Sequence, residues 1–171
     1  MTSQITRPLS ALICCLLSLL LTACWWSKQG GFTGVSFPPT EQVEVSFQTS
    51  AVPSSCQGFA HLIISTAGPT NGLEIQEALI REAREKGAAQ ILIGMAREQT
   101  GKRQEAFHFN YFGPKYPYPF PQGWMGWKFG FEQWNKAGPL IGFGLDNWGN
   151  PASHYDSSLM IQALFLRCPE K

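Results

Sequence analysis

The chain has 171 residues, of which 44% are hydrophobic and 15% charged, with 13 Lys and Arg against 12 Asp and Glu. Such a composition excludes a disordered chain, and the length suits one domain able to bury a core. The near balance of charge argues against nucleic acid as a partner, and against an anionic surface read by clustered cations.

The first residues carry an address. Arg7 is followed by the run Leu9 to Leu21, which has no charged residue, the order of basic and apolar regions found in an export signal. A permanent membrane-spanning helix needs about 20 apolar residues. This run is shorter, so residues 1–23 are expected to be a signal peptide. Its end, Leu21-Thr22-Ala23-Cys24, resembles the lipobox of bacterial lipoproteins, in which two small residues enter a peptidase cleft ahead of a cysteine. The resemblance implies that the Cys24 thiol is joined to diacylglycerol and becomes the first residue of the mature protein. Acyl chains hold a protein at a membrane with about 0.8 kcal/mol per buried methylene. Loss of Arg7 with the signal takes the Lys and Arg count from 13 to 12, equal to the 12 acids, so the mature protein is neutral. Trp25 follows the anchor where many enterobacterial lipoproteins retained at the inner membrane have Asp. By that resemblance the location is the cell envelope, at the outer membrane facing the periplasm.

Cys14 and Cys15 leave with the signal and Cys24 is acylated, so Cys56 and Cys168 remain. In an oxidising compartment a disulfide between them is expected. The alternative, a reactive thiol, lacks the Cys-x-x-Cys pair that lowers a thiol pKa.

Residues 24–41, rich in Gly and Pro, read as a flexible tether, and residues 42–171 as a single globular domain. Val43, Val45 and Phe47 alternate with polar residues as in a half-buried strand. Phe59 to Ile64 is an apolar run of the kind covered on both faces. A turn at Gly68 to Gly72 leads into a helix: Asn71 and Glu74 suit a capping box, Gly87 a left-handed end. Leu73, Ile75, Leu79, Ile80 and Ala83 share its apolar face, while Glu77/Arg81 and Glu82/Lys86 are helical neighbours. The turn could also hold an anion at the helix N-terminus. Residues 88–95 form the next strand, completing a βαβ unit with parallel strands. Further on, Phe107, Phe109 and Tyr111, and then Trp127, Phe129 and Phe131, alternate with other residues, predicting two adjacent antiparallel strands with aromatic faces. A last apolar strand spans residues 159–166. The fold class is therefore α/β (α+β): a two-layer sandwich with one main helix on a mixed sheet and aromatic-rich antiparallel strands toward the C-terminus. The cysteine, strand, charged helix and Gly-Ala-Ala-Gln-Ile-Leu-Ile (87–93) together are similar to small βαβ lipoproteins of the envelope-stress-sensor type. That likeness is confined to this segment and brings no site residue with it.

No His-Glu-x-x-His, Gly-x-Ser-x-Gly, Ser-x-x-Lys or phosphate-loop motif occurs, and neither metal nor cofactor is expected. His61 is expected as a hydrogen-bonded core residue and His108 as an exposed one. The polar loop with Asp146, Ser153, His154, Asp156 and Ser157 has the residue types of a nucleophile and base, but its Asn, Gly and Pro residues are those of an ordinary turn. The most informative segment is Gly-Pro-Lys-Tyr-Pro-Tyr-Pro-Phe-Pro-Gln-Gly (113–123), followed by four tryptophans. Ring-proline alternation favours an extended, pre-ordered loop that binds at low entropic cost. Tyr116, Tyr118, Phe120, Trp124 and Trp127 are thus the candidate binding surface. On this reading Tyr116, Tyr118 and Phe120 project outward; otherwise the loop is a lid of core over its own sheet. The function expected is a non-enzymatic, lipid-anchored envelope lipoprotein that contacts a protein partner. A glycan or peptidoglycan binder comes next, and a hydrolase third.

The anchor gives the first test. Cys24→Ser is expected to abolish labelling by radioactive palmitate and to leave uncleaved or soluble protein; label at the wild-type level would exclude acylation at Cys24.

Overall fold

The computed structural model describes residues 34–35, 37–101, 104–124 and 126–169. The signal segment, the lipobox and Cys24 lie outside the described residues.

The three long apolar runs become three nine-residue strands, β2 (Gln57–Ser65), β4 (Gln90–Glu98) and β9 (Leu159–Arg167). β9 lies between the other two and is antiparallel to both. β2 and β4 therefore point the same way, as the βαβ reading expects, yet they do not pair: the last strand of the chain is inserted between them. At the edges, β1 (Glu44–Ser46) joins β4 in parallel and β5 (His108–Phe112) joins β2 antiparallel. Short strands β6 (Tyr118–Pro119) and β7 (Leu140–Ile141) extend β2 and β4, giving seven strands in one sheet among the described residues. β3 (Thr70–Asn71) and β8 (His154–Tyr155) form a separate small ladder.

Helix α1 (Gly72–Glu85) packs on one face of the sheet. Its capping box forms as expected: Asn71 Oδ1 accepts from the Leu73 and Glu74 amides, and Glu74 accepts from the Asn71 amide. Gly87 follows with φ 76°, the left-handed backbone that ends a helix without a Cβ clash. Ile75, Ala78, Leu79 and Ala83 are buried, whereas Leu73, assigned to the same stripe, is exposed. Lys86 reaches Glu82 at 3.6 Å. Tyr111 of β5 donates a hydrogen bond to Glu82, so Tyr111 and its partner Leu62 lie on the helix-covered face. Along a strand, neighbours point to opposite faces. His61 and Ile63 therefore point away from the helix.

β9 is buried from Leu159 to Leu166, with no alternation of burial. The helix on the mixed sheet is the arrangement expected, and the sheet face opposite the helix is kept from water as well. The cover on that face comes mainly from residues 120–134, which follow β6: Phe120, Trp124, Trp127 and Trp134 pack there, and here two expectations fail. Residues 127–131 are not a strand: Gly126–Lys128 is a turn of 3-10 helix and Phe131–Trp134 a short helix, α2. Gly130 sits between them at φ 73°, and a Cβ there would come within 2.6 Å of Ile63 Cδ1. The glycine lets the backbone turn down onto the sheet, which the alternating aromatics alone do not reveal. β5 accordingly pairs with β2 rather than with this segment.

The tether is shorter than the Gly and Pro content implies. Phe37 packs edge-on against Phe59 at 5.0 Å, and Thr40 hydrogen-bonds Arg84 and Ala88 at the helix end. From Phe37 onward the chain is docked on the domain.

Cys56, just before β2, and Cys168, just after β9, form a disulfide with S–S 2.04 Å. It continues the ladder beyond the Gln57–Arg167 pair and closes a separation of 112 residues. Loop-closure arguments place the stabilisation from so long a loop at about 4–5 kcal/mol. Replacing both cysteines with Ala is expected to lower unfolding free energy by about 2–5 kcal/mol in urea titrations; a loss below about 1 kcal/mol would mean that the paired strands hold the chain without it.

Candidate functional site

The ring-proline loop is not the exposed platform its composition suggests. Tyr116 projects outward at 62% exposure, but Tyr118 and Phe120 are 7% and 1% exposed, and Trp124 and Trp127 are partly buried. Phe120 packs with Val52, Leu92, Leu164, Leu166 and the disulfide. The proposed surface of Tyr116, Tyr118, Phe120, Trp124 and Trp127 is thus corrected: Tyr118 and Phe120 are core, because Phe120 closes with Val52 over Leu92, Leu164 and Leu166 and Tyr118 lies against Gly58 and His61. Prolines 117, 119 and 121 help, since each removes an N–H that a buried segment must satisfy. Of the remaining amides, Phe120 donates to the Cys56 carbonyl at 2.9 Å, Gly123 to that of Pro119 at 2.7 Å and Trp124 to that of Pro121 at 2.8 Å.

Under this lid lies His61. Its ring is nearly parallel to those of Tyr118 and Trp124, at interplanar angles of 12° and 13°, and Phe129 closes on it at 4.5 Å between centroids. Nε2 is 2.5 Å from the Tyr118 hydroxyl, while Nδ1 has no partner among the described residues. Burial lowers the His61 pKa to about 4 and pushes the Tyr118 phenol well above its usual range. A neutral imidazole bonded to a neutral phenol binds the lid to β2, as expected of a core histidine. His108 is exposed, also as expected.

The aromatic series continues from Trp124 to Trp127, edge to face at 5.2 Å, and there it opens to solvent. Beyond Trp127 is a concavity of about 470 Å³ lined by Met95, Trp127, Lys128, Phe131, Trp134 and Gln162. Three features of the strands create it. The β4 register against β9 shifts between Ile93 and Ala96, a bulge that turns Met95 outward. Gly94 leaves room for the indole: a Cβ there would stand 2.6 Å from Trp127 Cζ2. Gln162, in the middle of β9, supplies a buried amide whose Oε1 has no partner among the described residues. At the rim, Met95 and Phe131 are 46% and 57% exposed. Behind Trp134, the Arg97 guanidinium lies 5.2 Å from the ring centroid, a cation–π contact. Next to this concavity, and sharing Lys128 and Phe131 with it, is a second one of about 590 Å³ that also meets Glu132 and Lys136.

Of the expected binding residues only Trp127 belongs to this site. Met95, Lys128, Phe131, Trp134 and Gln162 were not among the binding residues expected from the sequence. The signal was there in a different period: Trp127, Phe131 and Trp134 stand at i, i+4 and i+7, which is one helical face. Gly94 and Gln162 each interrupt an apolar strand, the mark of close backbone approach or of a special polar group.

The polar loop 146–158 has structural work instead. The Ser153 carbonyl accepts from the Gly72 amide and Gly149 donates to the Gly72 carbonyl, while Asn147 Nδ2 donates to Ser153 Oγ at 3.3 Å. These bonds and the capping box occupy the amides that an anion at the α1 N-terminus would need. His154 is exposed in β8. Among the described residues no group of His, Cys, Asp and Glu could hold a metal, and no helix is long and apolar enough to cross a membrane.

A comparison with protein families, characterised proteins and solved structures finds none that matches this chain.

His61 makes the lid sensitive to acid. In the unfolded chain its pKa is near 6.5 and in the folded domain about 4, so the unfolded state binds more protons between those values. Stability contributed by the neutral ring is complete above pH 6.5 and falls as the pH drops toward 4, by up to about 3 kcal/mol. Urea unfolding between pH 7 and 4 is expected to show this slope, and His61→Gln to flatten it while weakening the domain throughout; an unchanged slope in the variant would assign the effect to other groups.

Proposed function

We propose that the protein is a non-enzymatic, lipid-anchored lipoprotein of the cell envelope that holds a protein partner at the concavity of Met95, Trp127, Phe131 and Trp134. The observation that carries this reading is an open, mostly apolar hollow with two large apolar side chains exposed at its rim. Leaving Met95 and Phe131 in water forgoes the gain from burying them, roughly 25 cal/mol per Å² of apolar surface. A partner side chain entering the hollow recovers it. Trp and Met suit the task, since indoles anchor interfaces and thioethers adapt to their occupant.

The sparse polar lining favours an apolar protein side chain over a sugar. A sugar ring presents hydroxyls around its whole edge, and here one amide and one amine face them. The lipid anchor, the removal of residues 1–23 and the outer-membrane location rest on the lipobox and on Trp25, and belong to the same proposal. A partner would then be met at the membrane surface.

The double variant Met95→Asp, Phe131→Ser changes exposed positions, so its stability should stay within about 1 kcal/mol of wild type. It is expected to lose a protein band seen after crosslinking in living cells. Crosslinking at the wild-type level would refute the site. Loss of sedimentation with isolated peptidoglycan, with no protein band affected, would favour the glycan binder instead.

A further inference from the structure

Gln162 is the one group in the hollow that packing does not explain. It is 2% exposed, stands in the central strand of the sheet, lines the concavity, and its Oε1 has no hydrogen-bond partner among the described residues. A buried amide oxygen without a partner is costly, and native proteins keep few of them. An apolar residue of similar size would fill the same space without that cost. The position thus favours an acceptor for a donor that arrives from outside.

Charge supplies the second half. Among the residues lining the two adjoining concavities, Lys136 is paired with Glu132 at 3.3 Å, which leaves Lys128, shared by both, as the uncompensated charge. Its Nζ lies 5.4 Å from the Phe129 ring centroid, and no ion pair joins it to another described residue. Among the described residues the apolar hollow is lined by no carboxylate. A volume of about 470 Å³ falls within the range of small-ligand pockets, roughly 300–1,000 Å³.

Resting on the partner-binding reading above, we propose that the hollow selects a partner side chain whose aromatic ring carries a hydrogen-bond donor and which is followed by a carboxylate. The ring stacks among Trp127, Phe131 and Trp134, its hydroxyl donates to Gln162 Oε1, and the neighbouring carboxylate meets Lys128 at the rim. A tyrosine followed by an aspartate is the simplest peptide with this chemistry. Phenylalanine fills the hollow but leaves the amide unpartnered, and a neutral residue after the ring leaves Lys128 without its counter-charge.

The test titrates the purified full chain in detergent with three capped peptides, acetyl-Gly-Tyr-Asp-amide and its Phe-Asp and Tyr-Asn analogues. Binding is followed by NMR of the indole N–H groups. The Tyr-Asp peptide is expected to shift Trp127 and Trp134 and to bind about fivefold or more tightly than either analogue, the factor for one net hydrogen bond or ion pair. Gln162→Met, close in length and volume, is expected to erase the preference for Tyr over Phe while leaving the melting temperature unchanged or higher. Lys128→Gln should erase the preference for Asp over Asn. Equal binding of the three peptides to the unaltered protein, or no shift of either indole, would overturn the proposal, and neither result depends on a variant folding. A Tyr preference that survives Gln162→Met would overturn it as well, as would a lowered melting temperature with the preference intact, since the amide would then be serving the sheet. Equal peptide binding together with a rim-dependent crosslink in cells defeats this inference alone. A crosslink indifferent to the rim variant defeats the partner-binding reading, whatever the peptides do.

Discussion

Strand β9 must be kept dry on both faces, and the rest of the domain follows from that constraint. Its apolar residues from Leu159 to Leu166 are buried without alternation, and it lies between β2 and β4, to each of which it is hydrogen-bonded. One face can be covered by α1, the one long helix among the described residues. The other needs cover from whatever chain is left, and that chain is short in aliphatic residues and rich in rings and prolines. A strand buried on both sides therefore recruits the aromatic segment into the core.

Such a cover is assembled differently from a helix. A helix satisfies its own backbone and presents a repeating stripe, whereas an irregular segment must place each ring separately and pair each amide as it goes. The lid does so with prolines that need no donor partner, with close approaches at glycine, and with rings that stack on His61 or meet one another at steep angles. His61 ties it to the sheet through the Tyr118 hydroxyl, and the Cys56–Cys168 bridge closes the end of the ladder where Phe120 packs. The price of this arrangement is a neutral, desolvated imidazole that tolerates acid poorly.

The candidate site lies where the cover runs out. Past Trp127 the lid turns into α2, and between that helix and the β4 bulge lies a concavity with the buried Gln162 in its lining. Apolar residues at the rim and an unpaired amide oxygen below are both unfavourable in isolation, and the proposed arrival of an apolar ring with a donor would relieve both. On the proposed reading, stability and binding would oppose each other at this one residue, as where a core is given a second use. Lys128 lines both concavities and would add direction to the proposed contact.

Several features could be read from residues alone, and each is local in origin. The capping box of Asn71 and Glu74, the left-handed Gly87, the apolar runs of β2, β4 and β9, the mixed sheet with one helix, and the pairing of Cys56 with Cys168 depend on a few neighbouring residues or on simple counting. What the chain order could not decide is which segment covers which. Tyr118 and Phe120 have the composition of a surface and the position of a core, because the groups they cover are distant in sequence: Gly58 and His61 about sixty positions earlier for Tyr118, and Leu164 and Leu166 some forty positions later for Phe120. For the same reason Phe129 and Phe131, spaced like strand residues, end in a turn and a short helix, and Gln162 becomes a pocket floor only when Met95, Trp127 and Trp134 are brought around it. Periodicity reports how a segment would bury one face of its own; which faces remain to be buried is set by the sum of all the other elements, and that sum exists only in the folded chain.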